Sequence, residues 1–233
     1  MMENLPGYIS ITFILTTFLT VGFLFYAVKQ TVFETLPAKI LVFLLFFWLF
    51  FQAIFALSGF YLKTDSTPPR LMLFGLFPAL LTIILYFIFA RRSFIEKLPL
   101  KILTLLHIIR IPVELVLLWL FQQKLVPQLM TLEGRNLDIL SGISAPLIFW
   151  LAFRNGKINH SLLIIWNILA LGLLFNIVIN AILSFPFPFQ QFAFDQPNRG
   201  VLYFPFVWLP TVIVPIVLFS HLASLWILYR NKK

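Results

Sequence analysis

The chain has 233 residues, 61% of them hydrophobic and only 11% charged, with a formal net charge of +9 and no cysteine. Soluble domains carry nearer a quarter charged residues, so the composition is that of a polytopic membrane protein, and residues 1–233 read as a single membrane domain with no polar stretch left for a soluble one. The lack of cysteine excludes disulfides, Fe–S clusters, thiolate metal sites and cysteine nucleophiles, and the basic residues sit in short links between apolar runs, a topology pattern and not a nucleic-acid surface.

Seven apolar runs follow one another: Tyr8–Val28, Ala38–Leu62, Arg70–Ala90, Leu100–Gln123, Asp138–Phe153, Ser161–Ser184 and Val201–Tyr229. No Lys or Arg precedes the first and no small-residue cleavage site follows it, so it reads as a span and not as a signal peptide. Links such as Lys63 to Pro69 and Arg154 to Lys157 carry turn and charge signals. The fifth run is the shortest and holds Pro146, whereas a span usually takes about 17–25 residues.

Charge favours counting it. With seven spans and the N-terminus outside, the cytoplasmic side holds Lys29, Lys39, Arg91, Arg92, Lys97, Lys101, Arg154, Lys157, Arg230, Lys232 and Lys233. The outer side holds Lys63, Arg70, Lys124, Arg135 and Arg199. Eleven against five obeys the positive-inside rule, and the split reverses if the fifth run does not cross. The expected fold is therefore an all-α integral membrane bundle of seven helices, N-terminus outside and C-terminus cytoplasmic, in a cytoplasmic (inner) or plasma membrane. Trp119 and Trp208 fall toward outer helix ends, and Trp150, Trp166 and Trp226 toward inner ends, as an aromatic belt requires; Trp48 lies deep in the second run.

The fourth run carries the chemistry. At roughly 100° per residue, His107, Arg110 and Glu114 fall within about 60° of one another. Pro112 among them removes a backbone N–H and frees the carbonyl of Ile108. A central Arg or Glu costs about 2.5–3.5 kcal/mol to insert, and such residues usually face the bundle interior and mark a site. Arg110 suits a carboxylate or phosphate, with Glu114 gating the site or accepting a proton. The structural alternative is an Arg110–Glu114 pair, one helical turn apart, that only fixes packing.

In the sixth run Gly172, Asn176, Asn180 and Ser184 form one small, polar stripe. It reads either as helix-packing glue or as the wall of a cavity facing Arg110 and Glu114; in both cases Asn176 and Asn180 should be buried, since an amide in hydrocarbon lacks partners. Asn167 points to the opposite face. The seventh run holds Pro210, Pro215, Ser220, His221 and Ser224, with His221 at nearly the depth of His107. Those two histidines could bracket a haem iron or join Glu114 around a metal. No characteristic spacing supports this, and no cofactor is expected. His160 sits at a membrane boundary.

Two outer segments stand apart. In Glu133 to Asp138, either Asn136 or Asp138 could cap the fifth helix while Arg135 pairs locally. The Phe-rich stretch from Phe185 to Asp195, continuing through Asn198 and Arg199 to Phe206, is broken by Pro186 and Pro188 and reads as a lid over the bundle or an interfacial aromatic belt. With 29 Phe and no G-x-x-x-G, helix packing should rest on rings. The span count alone is shared with retinal proteins and G-protein-coupled receptors. The seventh run has no Schiff-base lysine and the third no Asp/Glu-Arg-Tyr, so the likeness ends there.

These observations lead to a small-molecule transporter or ligand sensor whose intramembrane pocket uses His107, Arg110 and Glu114, faced by Asn176, Asn180 and His221, for an anionic or amphipathic ligand. The alternatives are a membrane enzyme or haem or metal protein built on His107 and His221, and a structural subunit of a membrane complex. The lipid bilayer is the one certain partner; nucleic acid is not one.

Overall fold

The computed structural model describes residues 5–230; Lys232 and Lys233, counted above with the C-terminal end, lie outside them. Seven main helices follow in order: α1 Gly7–Thr31, α2 Leu36–Leu57, α3 Met72–Phe89, α4 Leu100–Gln122, α5 Ile139–Ala152, α6 His160–Leu183 and α7 Leu209–Arg230. Short 3-10 turns join them, and there is no strand among the described residues. Six are long and apolar enough to cross a membrane; α5, with 14 residues, is the shorter one.

Local chemistry sets the helix ends. Thr35 caps α2 by accepting from the Ala38 N–H at 3.4 Å, with Pro37 in the first turn. Gly59, at φ 72°, takes the left-handed turn that stops α2 five residues before the sequence run suggested. Asn159 caps α6 by accepting from the Leu162 N–H at 3.0 Å. The seventh run divides: Val201 and Leu202 belong to a buried 3-10 turn, and α7 starts only at Leu209, after the break at Pro205. In α1, Thr16, Thr17 and Thr20 are buried, and each hydroxyl donates to the carbonyl four residues back, which lets a polar face pack inside a bundle.

Prolines shape three of the helices. In α3 a π-helical turn over Met72–Leu76 closes when the Phe77 N–H donates to the Met72 carbonyl, and Pro78 follows at once. In α7 the turn over Leu209–Ile213 closes from the Val214 N–H to the Leu209 carbonyl, and Pro215 follows. Each proline lacks the N–H that the carbonyl four residues earlier needs: Phe74 for Pro78, Thr211 for Pro215. Both orphans are met from one face of α2. Gln52 Nε2 donates to the Phe74 carbonyl at 2.8 Å, and Trp48 Nε1 to the Thr211 carbonyl at 2.9 Å. The two wide turns touch at Gly75, where a Cβ would stand 2.8 Å from Thr211 Cγ2. In α4 the disturbance near Pro112 takes the opposite sense, a tight 3-10 turn over His107–Ile109.

α7 and α4 form the centre: 72% and 61% of their apolar windows are buried, against 17% in α2 and α3. α1 packs along both halves of α4, and α5 packs against α4 and α6. The outer faces carry large exposed apolar side chains, among them Phe43, Phe50, Leu57 and Phe89, which suits a hydrocarbon surround and not water. The links sort to two ends. At one, Glu96 before α4 accepts from Trp226 Nε1 at 3.1 Å and pairs with Arg230 at 3.5 Å near the end of α7. At the other, the N–H groups of Arg199 and Gly200 donate to the Leu125 carbonyl at 3.1 and 2.7 Å, and Gln196 Nε2 donates to the Val126 carbonyl at 2.6 Å, so the α4–α5 and α6–α7 links lock together.

The tryptophans depart from a pure belt. Trp150 is exposed, but Trp166 and Trp208 are buried and serve the interior: their indole N–H groups donate to Ser144 Oγ at 2.9 Å and to the Leu49 carbonyl at 3.0 Å.

Candidate functional site

His107, Arg110 and Glu114 of α4 all face inward; their exposures are 0%, 2% and 5%. Arg110 does not take Glu114 as its partner. Its Nη1 donates to Asp138 Oδ1 at 2.5 Å and to the Ala170 carbonyl at 3.3 Å, and its Nη2 lies 2.8 Å from His221 Nε2. Asp138 stands at the N-cap position of α5 but makes no side-chain cap there; its carboxylate turns to the arginine. A buried guanidinium recruits the carboxylate that can approach in the plane of its fork, and Asp138, entering from another helix, has that freedom where a neighbour one turn along α4 does not.

The partners fix a tautomer. Guanidinium nitrogens only donate, so His221 Nε2 accepts and is unprotonated. Nδ1 therefore carries the proton and donates to Asn167 Oδ1 at 2.8 Å, while Asn167 Nδ2 donates to the Leu163 carbonyl, also at 2.8 Å. Every group in this chain has the polarity its neighbour needs. It is not a proton wire, because an arginine that stays charged interrupts it. His107 stacks on His221 with centroids 3.9 Å apart and meets Trp166 edge-on at 5.3 Å. Rings in face contact at that spacing leave no room for a porphyrin between them, so they do not fit the haem-bracketing arrangement. Among the described residues no three His, Asp or Glu side chains gather in a metal-holding group.

Glu114 has its own support. Asn136 Nδ2 lies 2.6 Å from both carboxylate oxygens and 3.0 Å from the Met130 carbonyl, and Asn136 Oδ1 accepts from the Asp138 N–H at 3.0 Å. Asn136 is fully buried. It thus ties Glu114 to the backbone that aims Asp138. Arg135, expected to pair locally, instead lies over the Phe192 ring at 5.7 Å.

A cavity of about 80 Å³ adjoins this cluster. Arg110, Glu114 and Asp138 form its charged wall; Leu174, Ile177, Val217 and other apolar residues of α3, α4, α6 and α7 form the rest, and Phe185 and Asn198 of the α6–α7 link also line it. The Phe-rich link is therefore part of the cavity wall: Phe185 and Phe187 are buried, whereas Phe194 is exposed. The polar stripe of α6 is not. Gly172 and Asn176 are exposed, and Asn176 Nδ2 donates to the Arg135 carbonyl at 2.7 Å; Asn180 is buried but donates to the Asn176 carbonyl at 2.9 Å. Asn176 finds its partner in a link instead of the bundle interior, which corrects the expectation that both asparagines are buried.

His107, Arg110, Glu114 and His221 thus lie together, joined by Asp138, Asn136 and Asn167, with Asn198 in the lining of the adjoining cavity. Asp138 and Asn136 were visible as polar residues beside an apolar run; their approach to α4 depends on the path of the α4–α5 link, and spacing does not encode that.

These features define a helical protein of membrane-crossing proportions with a charge cluster buried against an apolar cavity. Residues 67–229 match the family described as a domain of unknown function (DUF8737), and the chain belongs to that family. The match spans α3 to α7, all the helices that supply the charge cluster, and leaves α1 and α2 outside it. No curated protein and no solved structure matches the chain.

Proposed function

We propose that this chain is a seven-crossing membrane protein, N-terminus outside, that takes a small amphipathic molecule into the cavity between α3, α4, α6 and α7, as a transporter or a ligand sensor. α5 makes the remaining crossing together with the segment before it. Fourteen helical residues rise about 21 Å, short of the roughly 30 Å hydrocarbon core. Met130, Thr131 and Asn136 are buried, and their N–H groups are satisfied within the segment, Thr131 donating to the Gln128 carbonyl at 2.8 Å and Asn136 to the Thr131 carbonyl at 3.2 Å. Irregular backbone is tolerated at membrane depth where protein surrounds it in this way.

The observation that carries the ligand reading is the cavity's lining, apolar on most sides with three ionisable side chains on one. Intramembrane ionisable groups that face a cavity mark a pathway or site by default, and apolar pockets with a few convergent polar groups are the usual form of small-molecule sites. Arg110 is spent on protein partners, so it does not serve as an anion clamp; Glu114 is the charged group left to meet a ligand. Ala181→Phe fills the cavity from α6 without touching a charge. Native mass spectrometry should find a small molecule retained by the wild type and lost from this variant. Equal spectra from the two proteins would overturn the site.

Arg110 supports a second reading, a scaffold whose charge cluster only locks α4, α5, α6 and α7 in a larger complex. On that reading a filled cavity changes nothing, and the protein purifies with stoichiometric partner chains.

A further inference from the structure

The polar atoms of the cavity are unequal in kind. Asp138 spends Oδ1 on Arg110. Asn198 is fully buried and lines the cavity; its Nδ2 faces the Ala181 carbonyl at 3.4 Å, which can only accept, so Oδ1 must point the other way, and no protein group meets it. Among the described residues Glu114 accepts only from Asn136. The polar side chains in the cavity's lining, Glu114, Asp138 and Asn198, thus bring mainly acceptors, and among the described residues Asn198 Oδ1 has no protein partner. The unpartnered donor is Arg110 Nε, and it belongs to a guanidinium whose charge Asp138 already meets. A net charge of minus one arises only when Glu114 ionises beside the Arg110–Asp138 pair, and a cation in the cavity is what favours that form, since an uncompensated charge is expensive there.

We infer that the molecule this cavity takes is an amphipathic monocation, an alkylammonium-like ligand whose head donates hydrogen bonds to Glu114 and Asn198 while its apolar part lies among Leu174, Ile177 and Val217. This rests on the reading of the cavity as a ligand site. An ammonium brings three donors and no acceptor, which is the complement of the wall, and it supplies the missing charge. A carboxylate of the same length would bring acceptors against acceptors and raise the charge to minus two.

Three probes matched in size decide the matter: butylammonium, butyrate and butanol, each added at millimolar concentration to the purified full chain, with thermal unfolding as the readout, since a ligand that prefers the folded state raises the melting temperature with concentration. Butylammonium should raise it in the wild type and butyrate should not. Glu114→Gln, which keeps the shape and removes the charge, should weaken the butylammonium response at least about tenfold in concentration, as loss of a charge-assisted hydrogen bond does. Ala181→Phe should abolish the response, and it carries the test alone if Glu114→Gln does not fold. A response to butyrate that Ala181→Phe abolishes overturns the cation assignment and leaves the site standing. No response to any probe in the wild type, or responses that Ala181→Phe leaves intact, overturn the site itself.

Discussion

Replacing Gln52 by Leu tests how α2 holds the proline-broken helices. Gln52 is wholly buried, donates to the Phe74 carbonyl at 2.8 Å and accepts from the Tyr61 hydroxyl at 2.6 Å. Leu has similar bulk, so the cavity contribution is small and the polar one dominates. An orphaned buried acceptor costs about 1–3 kcal/mol, while interhelical hydrogen bonds in membranes average nearer ~0.6 kcal/mol with a maximum of ~1.7. The Tyr61 hydroxyl, already 3.5 Å from the Phe74 carbonyl, can turn toward it and recover part of the loss. A cost of about 1–2 kcal/mol follows, read as a shift in the midpoint of reversible unfolding in mixed micelles. The decisive step is to repeat the substitution in a Pro78→Ala background. Alanine restores the N–H that the Phe74 carbonyl lacks, so the cost of Gln52→Leu should fall by about half or more. Contacting residues couple by about 0.5–3 kcal/mol, and independent ones add within about 0.5 kcal/mol. Strict additivity would refute the claim that Gln52 serves the carbonyl orphaned by Pro78.

Other outcomes follow from the same structure. Glu133 and Lys157 are exposed in the links before and after α5; since the chain has no cysteine, Glu133→Cys and Lys157→Cys give clean labelling sites, expected on opposite membrane faces, Lys157 inside, and labelling of both from one face would remove the seventh crossing. A Cβ at Gly142 would stand 2.9 Å from Ile111 Cγ1 and 3.2 Å from Arg110 Cβ, whereas one at Gly172 meets nothing within 4 Å; Gly142→Ala should therefore cost about 1–3 kcal/mol and Gly172→Ala should be neutral or stabilising by up to about 1 kcal/mol, as unfolding midpoints would show. Arg110→Met should cost about 3–5 kcal/mol by stranding a buried carboxylate, and Arg110→Met with Asp138→Leu should regain most of it; a double variant no better than the single one would mean that Asp138 is not the partner that matters.

Much of the helix layout was legible in the sequence because apolar run length depends on local composition. Boundaries failed where backbone chemistry intervened: Gly59 ended α2 early, and Pro205 turned the first residues of the seventh run into a link. The inward face of α4 was readable from the spacing of His107, Arg110 and Glu114. Its pairing was not, since the obvious partner of Arg110 lay one turn away at Glu114 and the actual one, Asp138, approaches from a different helix. The α6 stripe misled for a related reason. Period four picks out one face of a helix but not what that face meets, and here Asn176 meets the α4–α5 link. The service that Trp48 and Gln52 give to α7 and α3 could have been suspected, because Pro78 and Pro215 announce two orphaned carbonyls; which side chains reach them is a tertiary fact.

The charge cluster divides into two parts with different obligations. Arg110, Asp138, His221 and Asn167 pair with one another across four helices, with Arg110 Nε left over, and a buried network of that kind can be replaced as a set at little cost. Glu114 is held by a single amide and faces the cavity, so its charge is not required by any cationic partner in the fold. Glu114→Gln keeps one acceptor for Asn136 Nδ2 and turns the other into a donor, so it should cost about 1–3 kcal/mol, less than Arg110→Met alone, with its response to butylammonium weakened. The Arg110→Met, Asp138→Leu pair should behave in the contrary way, folding and still responding through Glu114. Purified variants compared by unfolding midpoint and by ligand-induced shift separate the two roles. If Glu114→Gln proves as damaging as Arg110→Met alone, the carboxylate belongs to the scaffold, and the cavity has no charged group left with which to recognise anything.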